Sequence, residues 1–315
     1  MSESARLIAD IGATNARFGV VTAGAWRVET LATADYQDTA ALVSAACTAL
    51  AVDAFADCCI AIAGPVVDGE GSITNGLLHF SASELGARLG CEVLLVNDFH
   101  AQAMALPHLT SLQQLGGSVQ KSGTRVVLGP GSGLGVGVLL SLDGRWRVLP
   151  SEAGHADLAP GGMLELEVMS LLHQQFDQVC WETVLSGPGL INLYQAVSAI
   201  WGSKPEALTA EQISELGADA ADPVCHQTLE MFLGWLGSAA GNLALTFCAR
   251  GGVYIAGGIV PRLGEIITDS PLRRRFDERA VLGDYVRDIP LYVVTQENPG
   301  LRGALACLEF DQRSG

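Results

Sequence analysis

Asp10-Ile11-Gly12-Ala13-Thr14-Asn15-Ala16-Arg17 puts a carboxylate, a glycine, a hydroxyl and an amide within one short turn-rich segment. Glycine lets backbone N–H groups come close to a phosphate, Thr14 and Asn15 can donate to its oxygens, and Asp10 can hold a metal or its waters. The same residues serve equally as an ordinary β-turn. A second segment alternates glycines, Gly129-Pro130-Gly131-Ser132-Gly133-Leu134-Gly135-Val136-Gly137. One face of such a hairpin is bare, so its backbone can hydrogen-bond a second phosphate; a tightly packed, bulged hairpin explains it as well. The spacing is neither G-x-G-x-x-G nor a Walker P-loop, because Lys121 follows Val119-Gln120 although Ser122 comes after it.

Val96-Asn97-Asp98-Phe99 ends an apolar run. At the C-terminal end of a strand, where open α/β sheets place their ligands, Asp98 can accept the proton of an attacking hydroxyl and Asn97 can orient the same substrate. The competing reading is a helix N-cap at Asp98. Ser151-Glu152-Ala153-Gly154-His155 and the more distant Glu182 offer carboxylates and an imidazole of the kind that grip the hydroxyls of neutral polyols. Glu152-x-x-His155 would serve a metal if both lay on one helical face, but Gly154 and the nearby prolines oppose a helix. Finally, Gly251-Gly252-Val253-Tyr254-Ile255-Ala256-Gly257-Gly258 reads as a strand ending in a glycine pair open to a flat ring or a ribose, with Pro261 starting a helix.

Composition narrows the partners. The chain has 315 residues, 34 acidic against 18 basic, for a formal net charge of -16, and only two lysines, Lys121 and Lys204. This disfavours a nucleic-acid surface or a polybasic membrane anchor and suits a small neutral or metal-bound ligand. Eight cysteines without C-x-x-C spacing read as reduced core residues, and the five histidines other than His155 have no evident partners in the sequence. The start, Met1-Ser2-Glu3, lacks a basic, apolar leader, so a cytoplasmic location is expected. The uncharged stretch from Met231 to Ala249 carries several glycines and polar residues and reads as a buried helix, its Gly237-x-x-x-Gly241 allowing close packing.

The elements expected to position these residues are an Arg6–Ile11 strand, an Arg17–Val21 strand, a third near Trp26–Leu31, and a helix from Asp38 to Leu50 capped by Asp38 or Thr39. A strand at 58–63, a helix at 83–89, a strand at 93–96 and a helix opening at Ala101 follow, an α/β unit. Arg125–Gly131 resembles Arg6–Gly12 in register, and Trp146-Arg147-Val148 repeats Trp26-Arg27-Val28, which suggests a duplicated unit; chance likeness of two glycine-turned hairpins is the alternative. Beyond Met163 the pattern is mostly helical until strands at 252–256 and 291–294 and a closing helix at 300–308.

In this order, the five segments resemble the sugar kinases of the hexokinase and actin-like ATPase superfamily, and within it the bacterial glucokinase family, over nearly the whole chain. Ala9–Arg17, Val96–Phe99, Ser151–His155, Leu185-Ser186-Gly187-Pro188-Gly189-Leu190-Ile191-Asn192-Leu193-Tyr194 and Ile255–Arg262 carry the resemblance. It implies a two-domain α/β, actin-like ATPase (ribonuclease H-like) fold with a ligand cleft between a small domain (1–107, with 300–315 returning to it) and a larger one (108–299). It implies an ATP-dependent kinase for the 6-hydroxyl of glucose, with Asp98 as base and Asn97, Glu152, His155 and Glu182 as further hydroxyl ligands. Ala9, Asp10, Ile11, Gly12, Ala13 and Thr14 would cradle ATP, with Gly131, Ser132 and Gly133 from the second loop and Gly257 and Gly258 near the nucleoside. Mg²⁺ would come with ATP, Asp10 acting through water. A cytoplasmic homodimer serving glycolysis, with closure of the domains on the sugar, completes the expectation. Ala13 stands where a second glycine is frequent and Ser132 where threonine is common, and the cysteine-rich zinc motif of the related repressor and kinase branch is missing. Two rivals remain: a same-fold kinase for mannose, fructose or an amino sugar, and a non-catalytic sugar sensor or transcription regulator. The latter would need a basic helix-turn-helix ahead of the first strand.

Overall fold

The computed structural model describes residues 5–311 apart from Asn75, Lys121 and Asp143; the lysine before Ser122 therefore lies outside the described residues. The chain opens as an antiparallel meander, β1 (Arg6–Ile11), β2 (Asn15–Thr22) and β3 (Ala25–Ala32). Thr22 faces Ala25 across a two-residue turn whose Ala23 and Gly24 both have positive φ, 48° and 78°, the geometry that matches strand twist in a tight hairpin. Helix α1 (Thr39–Leu50) follows, its first turn capped by Asp38, which accepts Ala41 N–H at 2.7 Å. Strand β4 (Asp57–Ile62) is buried along its whole length, as suits a parallel strand covered on both faces. A small sheet of β5 (Val66–Val67), β6 (Glu70–Ser72) and β7 (His79–Ser81) intervenes before α2 (Ala82–Leu89), β8 (Glu92–Asn97) and α3 (Asp98–Ala105). The main sheet has the order β3-β2-β1-β4-β8, with β1, β4 and β8 parallel.

The pattern then recurs with insertions. After β9 (Leu112–Gln114) come β10 (Arg125–Pro130), β11 (Leu134–Leu142) and β12 (Arg145–Ser151), again an antiparallel meander. Helices α4 (Met163–Leu172), α5 (Trp181–Val184), α6 (Gly187–Ile200), α7 (Ala210–Ala218) and α8 (Pro223–Thr246) lead to β13 (Gly252–Ile255). Next are α9 (Ile266–Asp269), α10 (Pro271–Asp277), α11 (Gly283–Arg287), β14 (Leu291–Val294) and the closing helix α12 (Pro299–Asp311). The second sheet, β12-β11-β10-β13-β14-β9, repeats the order and directions of the first through its first five strands. Trp26 and Trp146 are each the second residue of the third meander strand, so the repeat read from the sequence is present as topology. The largest difference lies in the crossover from third to fourth strand, a single α-helix in the first copy and five in the second.

The described residues fall into two units, one running up to Thr110 and resuming at Gln296, the other spanning Ser111–Thr295. In the first, Leu7, Ala9, Ile11, Phe18, Ile60 and Ile62 pack with Leu42, Val43 and Ala46 of α1. Helix α12 lies on α3 so closely that a side chain at Gly303 would overlap the Ala101 backbone. In the second, Val126, Leu128, Val136 and Val138 pack against α6 and α8. The uncharged stretch from Met231 to Ala249 is largely buried within and just after α8, where Gly237 lies against the Leu272 carbonyl and Gly241 against the Arg279 guanidinium. No helix among the described residues is long and apolar enough to cross a membrane.

Candidate active site

In the first unit the parallel strands deliver two groups of interest to their C-terminal ends. Past β1, Gly12 N–H donates to Asn15 O at 2.9 Å and closes the Gly12–Asn15 turn. The buried Thr33 locks this turn from behind, its Oγ1 donating to Gly12 O at 2.8 Å and its N–H to Thr14 O at 3.0 Å. Both carbonyls are thereby occupied, while Thr14 and Asn15 remain exposed. Nothing in the spacing around Thr33 pointed to this role; it is set by the β2–β3 register, which brings Ala32 opposite Asn15.

Asp10, on β1, lies opposite Arg17 on β2. Burial pushes its carboxyl pKa up, opposed by the Arg17 charge. Gly300, in the first turn of α12, leaves room for it, since a Cβ there would sit 2.5 Å from Asp10 Cγ. A partly buried carboxylate with one neutralising neighbour is a fitting donor for a cation or its waters. The upward shift means that the native state holds the proton more tightly than the unfolded chain, so ionised Asp10 costs stability once pH rises past the ordinary carboxylate range. Asp10→Asn is therefore expected to melt at a higher temperature than wild type at pH 7, with the difference closing toward pH 4; thermal unfolding across that range checks it.

At the end of β8 the sequence left a capping role and a catalytic role competing for Asp98. The structure gives the cap to Asn97: its Oδ1 accepts Phe99 N–H at 2.9 Å and His100 N–H at 3.2 Å. Helix α3 therefore begins at Asp98, three residues before the expected Ala101. Asn97 Nδ2 donates to Gly64 O at 3.1 Å and to Asp98 Oδ1 at 3.0 Å, and Phe99 N–H also donates to that oxygen at 3.0 Å. The carboxylate of Asp98 is half-buried and oriented by its neighbours. In the first turn of α3, His100 neighbours Cys307, which in turn neighbours Cys59. Burial raises the Cys58 thiol well above the usual range, consistent with a core role, and all cysteines are free. Two further histidines have partners nine residues away in the chain: His79 with Glu70 at 2.9 Å, and His226 with Gly217 O at 3.0 Å.

In the second unit, β10 and β13 are parallel neighbours, so their C-terminal ends bring two of the five segments together. The loop after β10 is closed by Gly131 N–H to Gly133 O at 2.8 Å. Gly257, with φ 86°, lies against the Pro130 carbonyl, and Gly131 and Gly258 have open space where a side chain would be. Ser132, Gly257 and Gly258 are exposed. The β12 end carries Glu152 into the short 3-10 turn Ala153–His155, in which His155 N–H donates to Glu152 O at 3.0 Å. Glu152 and His155 are exposed on this non-helical turn, and the described residues contain no cluster of three or more His, Cys, Asp or Glu side chains placed to hold a metal ion. Trp181 N–H donates to Ala156 O at 2.9 Å, which sets the residues around His155 beside those around Glu182. Glu182 reaches the glycine loop, its Oε2 accepting Leu134 N–H at 2.7 Å.

The family model described as glucokinase matches residues 7–310. The chain belongs to the glucokinase family. Among its relatives, the glucokinase of Aromatoleum aromaticum is 41% identical over 312 residues, covering 96% of this chain and 94% of that one. That of Hahella chejuensis is 38% identical over 310 residues, covering 96% of each chain. A crystal structure of glucokinase from an Antarctic psychrotroph superposes with a TM-score of 0.85 at 35% identity, covering 97% of this chain and 99% of that one. The two-domain α/β architecture expected of an actin-like ATPase fold accords with that likeness. Thr33, Gly64, Gly187 and Gly300 contact candidate site residues although the sequence marked no such role for them. Only Gly187 carried a signal, as part of Ser186-Gly187-Pro188-Gly189.

Proposed function

We propose that this member of the glucokinase family transfers the γ-phosphoryl group of ATP to the 6-hydroxyl of D-glucose, giving glucose 6-phosphate and ADP. The observation that carries this reading is Asp98, a half-buried carboxylate at the C-terminal end of a parallel strand, oriented by Asn97 Nδ2 and Phe99 N–H. In the proposed mechanism Asp98 accepts the proton of the 6-hydroxyl as its oxygen attacks phosphorus. Asn97 orients that carboxylate and, with Glu152, His155 and Glu182, grips the sugar hydroxyls.

The nucleotide is assigned to Ala9–Thr14, to Gly131, Ser132 and Gly133, and to Gly257 and Gly258. Phosphoryl transfer depends chiefly on positioning and on neutralising charge, which backbone N–H groups of the two glycine turns can supply in a chain with two lysines. Mg²⁺ arriving with ATP would add positive charge at the phosphate oxygens, and Asp10 is the residue proposed to hold it through water. A cytoplasmic homodimer serving glycolysis is proposed on the family resemblance alone.

Purified protein should release ADP in a hexose-dependent manner, with kcat/KM highest for glucose among glucose, mannose, fructose and glucosamine. No release with any hexose would overturn the kinase reading in favour of a sensor; a preference for another acceptor would overturn the assignment of glucose.

A further inference from the structure

The segment that carries Glu182 does more than present a carboxylate. Leu134 N–H donates to Glu182 Oε2 at 2.7 Å, and Gly187 N–H donates to Gly131 O at 2.8 Å, so both ends of the glycine loop 131–134 are held by residues 182–187. That segment is rigid in its own right: Ser186 Oγ donates to Glu182 O at 2.9 Å and accepts Gly189 N–H at 2.9 Å at the start of α6. A Cβ at Gly133 would lie 2.5 Å from Glu182 Oε2, so a side chain there would displace the carboxylate that holds the loop. From the other side Gly154, between Glu152 and His155, packs onto the Leu134 carbonyl. The residues assigned to the sugar thus enclose the loop assigned to the phosphates.

A loop built on Gly131 and Gly133 has much conformational freedom to lose, and backbone donors bind a phosphate well only when they are held in place beforehand. A carboxylate accepting a backbone N–H is among the stronger ways to hold one. Glu182 Oε1 accepts no hydrogen bond from the described residues, so one oxygen holds the loop while the other serves a hydroxyl. We propose that Glu182 is a positioning residue for the second phosphate loop, and that hexose bound at its carboxylate tightens nucleotide binding through Leu134. The coupling rests on the reading that Glu182 grips the hexose and residues 131–133 the nucleotide.

The test measures the Kd of a non-hydrolysable ATP analogue with Mg²⁺, with and without saturating glucose, together with amide hydrogen exchange over residues 131–136. In Glu182→Ala the analogue Kd without sugar should rise ~5–10-fold and Leu134 exchange should speed up ~10-fold, the scale of one lost charge-assisted hydrogen bond. Glu182→Gln keeps an acceptor oxygen without the charge and should recover part of both losses, falling between the alanine variant and wild type. Glu182→Asp, one methylene short, should behave like the alanine variant and serves if that variant does not fold. Glucose should tighten the analogue in wild type and not in Glu182→Ala, since the proposed coupling is carried by residue 182. If sugar-free analogue affinity and exchange are unchanged in Glu182→Ala while glucose affinity falls, the inference is wrong and the proposed function stands. If exchange rises but glucose affinity does not depend on residue 182, the loop-holding role stands; the sugar assignment fails, and with it the coupling.

Discussion

Asp98→Asn is expected to lower turnover by ~10²-fold or more, the usual scale for a lost general base, while hexose affinity stays close to that of wild type. The substitution is a fair one because the amide oxygen can still accept from Asn97 Nδ2 and Phe99 N–H, the bonds that orient the native carboxylate at 3.0 Å. Helix α3 keeps its cap, since capping belongs to Asn97. What disappears is the capacity to take a proton from the attacking hydroxyl. Steady-state kcat alongside calorimetric glucose binding checks both halves, and near-normal turnover would mean that another group accepts the proton.

The largest effect on stability should follow from Glu165→Ala, with a loss of about 3–5 kcal/mol, the cost of stranding one charge of a buried pair. Glu165 accepts from Arg275 Nη1 at 2.6 Å and Nη2 at 3.3 Å, with side-chain exposures of 9% and 14% for the two residues. Arg275 also donates from Nε to Ser238 at 3.0 Å, so α4, α8 and α10 meet at this pair. The carboxylate further accepts Gly161 N–H, and Trp235 Nε1 donates to Ala159 O at 3.0 Å, tying the loop that follows His155 to the same core. A weaker hold on glucose is therefore expected as well. Denaturant unfolding of Glu165→Ala, Arg275→Ala and the double variant should show the double losing less than the sum, because the second deletion removes the stranded partner. Additive losses would show that the two residues act independently.

The strongest sequence signals were those with a local physical cause. Two glycine-turned hairpins, the apolar runs of β4 and β8 and the Asp38 cap each express themselves within a few residues, and the structure has all of them. The small β5–β7 sheet escaped because its strands are two or three residues long and carry no apolar alternation. Its one local mark was Asp68-Gly69, both at positive φ between Val67 and Glu70, the dipeptide of a tight hairpin. The placement of the helix cap at Asn97 and not at Asp98 turned on a single residue, since either side chain can cap a helix. Thr33 on the Gly12 turn, Gly300 on Asp10 and Glu182 on Leu134 depend on contacts 21, 290 and 48 residues apart, which no local pattern carries. The repeated topology lay between these cases: the paired Arg6–Gly12 and Arg125–Gly131 segments revealed its start, and the inserted helices α4–α8 hid the rest.

The most direct measurement compares glucose with 6-deoxyglucose as acceptor and locates the phosphate on the product by phosphorus and carbon NMR. The account predicts ADP release with glucose, phosphate on oxygen 6 alone, and 6-deoxyglucose acting only as a competitive inhibitor. Phosphate on any other oxygen, or ADP release driven by 6-deoxyglucose with phosphate on the sugar, would contradict it.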